Sequence, residues 1–355
     1  MRSDTWFGRP GADGAGSLSR SRRGRVGGRR LREGAVRLAL VLGLVFLAGC
    51  PQPPPLPEPD ELHANLSYAV LQPELTCAEL RESYGLEGLP VVDTPAEAGM
   101  AYTEHWIPGP EGTTLRAWYI PAPAAAAAAS GLAGAALAGA ASGRGLALIS
   151  CGNSGSMACY LFTARLLTER GWSAVLYEYE GFGGSTGVPS LNRLRDDLST
   201  VLDWTLAETG LTEVTLVGIS LGSIPSVAVA AVRPEAVNGV ILDSPIALGA
   251  EISRFASLIG GPTRVREVIA RLEPWLLSEA VIGLVQQPLL IFSHEDDPVA
   301  PPDSTRLLYD RAAGPKELVY FAGLDHAAGQ FLRTETYAAH LEAFLTRVWV
   351  SHEAP

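Results

Sequence analysis

Two segments of this chain read G-x-S-x-G: Gly183-Gly184-Ser185-Thr186-Gly187 and Gly218-Ile219-Ser220-Leu221-Gly222. Such a serine becomes a nucleophile when a strand runs directly into the motif and a helix leaves it directly, because the sharp turn lifts the hydroxyl above the sheet. Ser220 meets this condition: the apolar run Glu213-Val214-Thr215-Leu216-Val217 enters Gly218, and Ser226 to Ala231 continue as a small-residue helix able to lie close to a sheet. Pro225 in that helix lacks an N–H and is expected to bend it early. Ser185 does not meet it, since several residues separate it from Tyr177 and Pro189 delays the next helix.

A serine hydroxyl needs a histidine to take its proton, and that histidine needs a carboxylate to fix its tautomer. On an open sheet the partners follow in the order serine, acid, histidine, each on a loop after a strand. The run Pro288 to Phe292 leads into Ser293-His294-Glu295-Asp296-Asp297, and Glu317 to Phe321 leads into Ala322-Gly323-Leu324-Asp325-His326. His326 is the expected base. His63, His105, His340 and His352 follow no strand end, and His294 precedes the acid. Asp296 and Asp297 both suit the acid, with Asp243 after an earlier strand as their rival.

These residues require a scaffold of alternating strands and helices. Short apolar runs predict strands at 103–107, 115–120, 146–150, 174–177, 214–218, 237–242, 288–292 and 317–321. Longer amphipathic stretches predict helices at 158–169, 191–207, 221–231, 303–311 and 334–348. This rhythm predicts an α/β fold, a mostly parallel twisted sheet with helices on both faces, interrupted by a small helical cap insert at about 246–283. Chemistry is expected beyond the carboxyl ends of the strands.

With 355 residues and 47% hydrophobic content the chain is long enough for a large core. Its charge is divided. Residues 1–49 hold ten arginines against Asp4, Asp13 and Glu33, a balance of +7, so the overall −11 leaves −18 for the remainder. An acidic body repels phosphate backbones, and no nucleic-acid partner is expected. Lys316 is the only lysine. The three cysteines beyond Cys50, namely Cys77, Cys151 and Cys159, allow one disulfide and one free thiol outside the cytosol. Neither they nor the scattered histidines have metal-ligand spacing, so no metal and no cofactor are expected.

The start of the chain reads as an address. After Arg37 comes an uncharged apolar run, Leu38 to Gly49, too short to span a membrane but long enough for a signal-peptide core. Its ending, Leu47-Ala48-Gly49-Cys50, resembles the lipobox of bacterial lipoproteins, which implies cleavage before Cys50, acylation of that residue and stable anchoring by several chains. Pro51 to Asp60, with six prolines, predicts a stiff spacer. The expected organisation is thus a lipoprotein signal peptide (1–49), a proline-rich tether and N-terminal extension (50–98) and a catalytic domain (99–350). The Ala/Gly/Ser-rich stretch Ala122 to Ala141 is expected to be a loop insertion without function.

Several further segments fall into one pattern. Thr113-Thr114-Leu115-Arg116-Ala117-Trp118-Tyr119-Ile120-Pro121, Cys151-Gly152-Asn153-Ser154-Gly155, Tyr179-Glu180-Gly181-Phe182-Gly183-Gly184-Ser185 and Asp297-Pro298-Val299-Ala300-Pro301 occur in that order around the Ser220 motif. Residues 100–350 therefore resemble an α/β-hydrolase of the serine hydrolase type, near the BEM46-like and serine aminopeptidase-like groups. The resemblance implies Asp297 rather than Asp296 as the acid, and the backbone N–H groups of Asn153 and Leu221 as the oxyanion hole. It departs from the group at Cys151, where a histidine is usual, and at Glu180, where an arginine is usual, which would alter the pocket wall. The implied protein is a lipid-anchored serine hydrolase of the bacterial envelope, facing the periplasm from the outer membrane. It would cleave an ester, thioester or amide of a small-molecule or peptide acyl substrate through an acyl-enzyme, with Ser220, Asp297 and His326 as the triad. The alternative is a hydrolase-fold binding or scaffold protein without chemistry, and the oligomeric state is not readable.

Overall fold

A computed structural model describes residues 56–123 and 144–353, apart from 85 and 87. Cys50, the apolar run before it, the first part of the proline segment and most of Ala122 to Ala141 lie outside the described residues.

Eight strands form one sheet among the described residues: β1 (Thr103–Pro108), β2 (Thr114–Ile120), β3 (Gly145–Ser150), β4 (Trp172–Tyr177), β5 (Val214–Ile219), β6 (Val237–Asp243), β7 (Leu289–His294) and β8 (Lys316–Phe321). Each coincides with an expected run to within about two residues. Their spatial order is β1-β2-β4-β3-β5-β6-β7-β8, with antiparallel pairing for β1/β2 and β2/β4 and parallel pairing from β4 to β8. Every residue of β4, β5 and β7 is buried, as expected of strands covered on both faces, where hydrophobic runs replace alternation. Along β5 the side chains divide between two cores. Val214 and Leu216 join the cluster on one face, while Val217 and Ile219 join that on the other.

The helices are α1 (Pro59–Val70), α2 (Cys77–Ser83), α3 (Leu161–Thr168), α4 (Leu194–Thr209), α5 (Ser223–Val232), α6 (Leu248–Arg254), α7 (Pro262–Ile269), α8 (Ser278–Val281), α9 (Pro302–Arg311), α10 (Gly329–Leu332) and α11 (Thr334–Glu353). Pro225 falls in the first turn of α5, where the N–H it lacks has no intrahelical partner to lose. The bend expected of it is thus unnecessary. The insert between β6 and β7 is helical as expected, carrying α6, α7 and α8.

Before β1, the chain folds into α1 and α2 and packs onto the body. Leu62, Leu66 and Ala69 of α1 recur at helical spacing and are buried in the main core, as is Leu56 just ahead of it. Proline at the first helical position favours the start at Pro59. His63 contacts the Arg271 carbonyl at 3.0 Å, and Arg271 Nη1 donates to the Pro57 carbonyl, so α1 is joined to the insert. Thr76 caps α2 in a reciprocal box with Glu79. Cys77, the first residue of α2, is disulfide-bonded to Cys159 across a sequence separation of 82, and Cys151 is the buried free cysteine.

Candidate active site

The parallel register brings five strand ends together: Ser150 of β3 is level with Gly218 of β5, Ile219 of β5 with Asp243 of β6, Asp243 with Phe292 of β7, and His294 of β7 with Phe321 of β8. The chain leaves β5 through Ser220 at φ +52°, a left-handed conformation unusual for a residue with a side chain and concentrated at functional sites. Its flanking glycines are required by space. A Cβ on Gly218 would meet the Gly222 carbonyl oxygen at 2.7 Å, and a Cβ on Gly222 would meet that of Ser150 at 2.0 Å. The elbow can therefore press against the end of β3 only with glycine at both positions.

His326, on the loop after β8, is buried, and its Nδ1 lies 2.9 and 2.8 Å from the two carboxylate oxygens of Asp297. Asp297 is itself fixed: its Oδ1 accepts the N–H of Val299 at 2.8 Å and of Ala300 at 2.7 Å. Burial pulls the His326 imidazole down, but the charge and hydrogen bond of Asp297, with Asp243 and Asp325 farther off, more than offset this and raise its pKa. For Asp297, burial favours the neutral acid, and the His326 charge and the hydrogen bonds it accepts outweigh that and lower its pKa. The structure thus joins His326 to Asp297. Asp296 is not part of this contact; its backbone N–H donates to the Leu324 carbonyl.

The other nitrogen, Nε2 of His326, is buried and has no hydrogen-bond partner among the described residues. His326 and Ser220 border one cavity of about 300 Å³. The walls are mostly aliphatic and aromatic, including Leu80, Leu191, Ile224, Leu248, Ile252, Phe255 and Phe331. They come from α2, α5, α10, the insert and the segment before α4. Tyr84, just after α2, has its ring centre 5.0 Å from that of His326. Asn153 and Leu221 also border the cavity. The Asn153 side chain is held from both ends, its Oδ1 accepting the Gln72 N–H at 2.8 Å and its Nδ2 donating to the Val70 carbonyl at 2.6 Å. Cys151 and Glu180, expected to alter the pocket wall, do not border the cavity. Cys151 is buried beneath it, and Glu180 Oε1 accepts the Val188 N–H at 3.2 Å.

Behind the pair lies a layer that sequence reasoning missed. Ser244 also has positive φ, at +48°. Its Oγ is 2.9 Å from His294 Nδ1 and accepts the Ala327 N–H at 3.0 Å. Nε2 of His294 accepts the Gly329 N–H at 3.0 Å, so the proton sits on Nδ1 and points at Ser244. Burial lowers the pKa of His294 to about 4, making it a neutral positioning residue despite Asp243 at 3.8 Å. Asp243 is fully buried, accepts from Tyr337 Oη at 3.1 Å, and is raised by that burial to about 7. The sequence signal for this layer was present as polar residues at buried strand ends, but partner identity depends on register between β6 and β7.

Ser185 is occupied elsewhere. Its Oγ donates to the Glu178 carbonyl at 2.7 Å and accepts the Arg116 N–H at 2.9 Å, tying a loop to β2.

A family described as α/β hydrolase fold matches residues 148–261. The chain is 27% identical over 221 residues to an uncharacterised protein of Mycobacterium tuberculosis, covering 59% of this chain and 72% of that one. It is 25% identical over 170 residues to protein bem46 of Schizosaccharomyces pombe, covering 46% and 55% respectively. Among solved structures, an esterase of Pyrococcus furiosus superposes with a TM-score of 0.56 at 14% identity, over 73% of this chain and 98% of that one. A Penicillium α/β hydrolase, GrgF, gives 0.52 at 18%, over 71% and 100%. Strand order and matched segment together define the class: the chain has the α/β-hydrolase fold. Among the proteins whose sequences it resembles is bem46.

Proposed function

We propose that this protein is a serine hydrolase that cleaves an ester, thioester or amide through an acyl-enzyme. The observation that carries the reading is that His326, with Asp297 holding its Nδ1 and its Nε2 unpartnered among the described residues, borders the same cavity as the strained Ser220. In this mechanism Ser220 Oγ attacks the acyl carbon as its proton passes to His326 Nε2. Asp297 fixes the tautomer and stabilises the imidazolium. The tetrahedral oxyanion is received by the backbone N–H groups of Leu221 and Asn153, each such donor contributing about 3 kcal/mol to lowering the barrier. His326 then returns the proton to the leaving group, and a water molecule repeats the sequence to release the acid. The apolar cavity favours a substrate with a short or medium acyl chain. The same reading places the enzyme in a bacterial envelope, anchored through acylated Cys50, on the strength of the Leu47-Ala48-Gly49-Cys50 ending.

The test is labelling with a fluorophosphonate, which requires an activated serine. Wild-type protein and Ser185→Ala should label, whereas Ser220→Ala should not. Labelling that survives in Ser220→Ala and vanishes in Ser185→Ala would move the nucleophile to the other motif.

A further inference from the structure

Besides tyrosines, three acidic or basic side chains border the cavity: His326, Glu251 and Arg81. Two are already answered. His326 faces Asp297, and Glu251 accepts the Ser304 hydroxyl at 2.6 Å and pairs with Arg254 at 2.6 Å. Arg81 on α2 is only 7% exposed, yet among the described residues no carboxylate lies within ion-pair distance of its guanidinium. Among the described residues its guanidinium makes one hydrogen bond, from Nη1 to the Leu89 carbonyl at 3.0 Å. Arg81 borders the cavity. A buried charged fork with most of its donors unused among the described residues is costly to keep. It is also held firmly. The disulfide at Cys77 lies one turn earlier on the same face of α2, and the Thr76–Glu79 box fixes the start of the helix.

We propose that Arg81 is a specificity-determining residue that reads an anionic oxygen group, carboxylate or phosphate, on the substrate. This deepens the hydrolase reading and rests on it for the reaction, although not for binding. A planar guanidinium matches two oxygens of such a group at once. In an otherwise apolar cavity with Glu251 already neutralised, the anion is the one substrate charge the site can accept without leaving a charge unpaired.

Calorimetry on the full chain tests binding apart from turnover, with hexanoate, hexyl phosphate and hexan-1-ol as probes at pH 7.5. At least one anion should bind the wild type about ten- to a hundredfold more tightly than the alcohol; which anion does so identifies the group. Arg81→Met should abolish that preference, and Arg81→Lys should keep part of it. In turnover, the kcat/KM ratio of the mono-p-nitrophenyl ester of adipate to p-nitrophenyl hexanoate should fall by a similar factor in Arg81→Met. Equal binding of anions and alcohol by the wild type overturns the proposal, with no need of the variants. Fluorophosphonate labelling separates the two readings: a protein that labels but ignores the anion has lost only this inference, and one that binds the anion but never labels has lost only the chemistry.

Discussion

Asp243 and Asp297 stand on neighbouring strand ends, and their environments divide the work between them. Asp297 presents both oxygens to His326 and is held below its ordinary pKa, whereas Asp243 is raised to about 7 by burial and touches Tyr337 instead. Asp297→Asn should keep the fold and lower kcat by about 10⁴, the size seen when a triad acid leaves its histidine in the wrong tautomer; Asp243→Asn should change kcat less than tenfold. The reverse pattern in steady-state kinetics would make Asp243 the acid. The two also predict opposite acid and alkaline behaviour. His326 must be neutral to accept a proton, and its pKa is raised, so kcat/KM should fall on acidification from a midpoint above the ordinary histidine value of about 6.5. Asp243 is protonated more readily in the folded state than in the unfolded one. Its cost to stability is therefore absent below about pH 4 and complete above about pH 7. Asp243→Asn should accordingly gain more in Tm at pH 8 than at pH 5.

At the scale of elements, α2 contributes Leu80 and Arg81 to the cavity, and its first residue is tied to Cys159, just before α3. Closing a chain segment of this length restricts the unfolded state, which on the chain-entropy account contributes about 4–5 kcal/mol. The double variant Cys77→Ala, Cys159→Ala should unfold at correspondingly lower denaturant and lose kcat/KM, because the helix bordering the cavity is no longer pinned. An unchanged midpoint and unchanged kinetics would leave the bond without either role. This element also marks where the sequence was legible and where it was not. The eight strands could be read because runs such as Val214–Ile219 are continuous and apolar, as burial on both faces demands. Ser220 could be read because strand, glycine, serine and glycine are adjacent in the chain. The helix of Pro59–Val70 carries its own signal in Leu62, Leu66 and Ala69, but the prolines before it read as spacer, although Pro59 at a helix start favours the helix. That α1 and α2 would wall the site, and that Cys77 would choose Cys159 over Cys151, depend on contacts between distant segments that no local pattern encodes.

At the scale of the whole molecule, the acidic body and the proposed acyl anchor set where the enzyme would work. In a bacterial host the protein should incorporate labelled palmitate and partition into detergent, and Cys50→Ser should prevent both. Unmodified wild-type protein recovered in the soluble periplasmic fraction would instead indicate ordinary secretion. Among the described residues no helix is long and apolar enough to cross a membrane.

Leu56 is already buried in the main core, and the Pro57 carbonyl is already bound by Arg271. Only six residues separate Cys50 from that fixed point, and even fully stretched they reach about 20 Å. Helix α1 begins at Pro59 and ends at Val70, which borders the cavity, adding about 18 Å along its axis. An enzyme acylated at Cys50 would therefore work on a short leash. Its reaction volume would be a shell roughly one bilayer thickness deep above the surface, so the effective concentration of substrates borne by that membrane would far exceed that of solutes passing through the compartment.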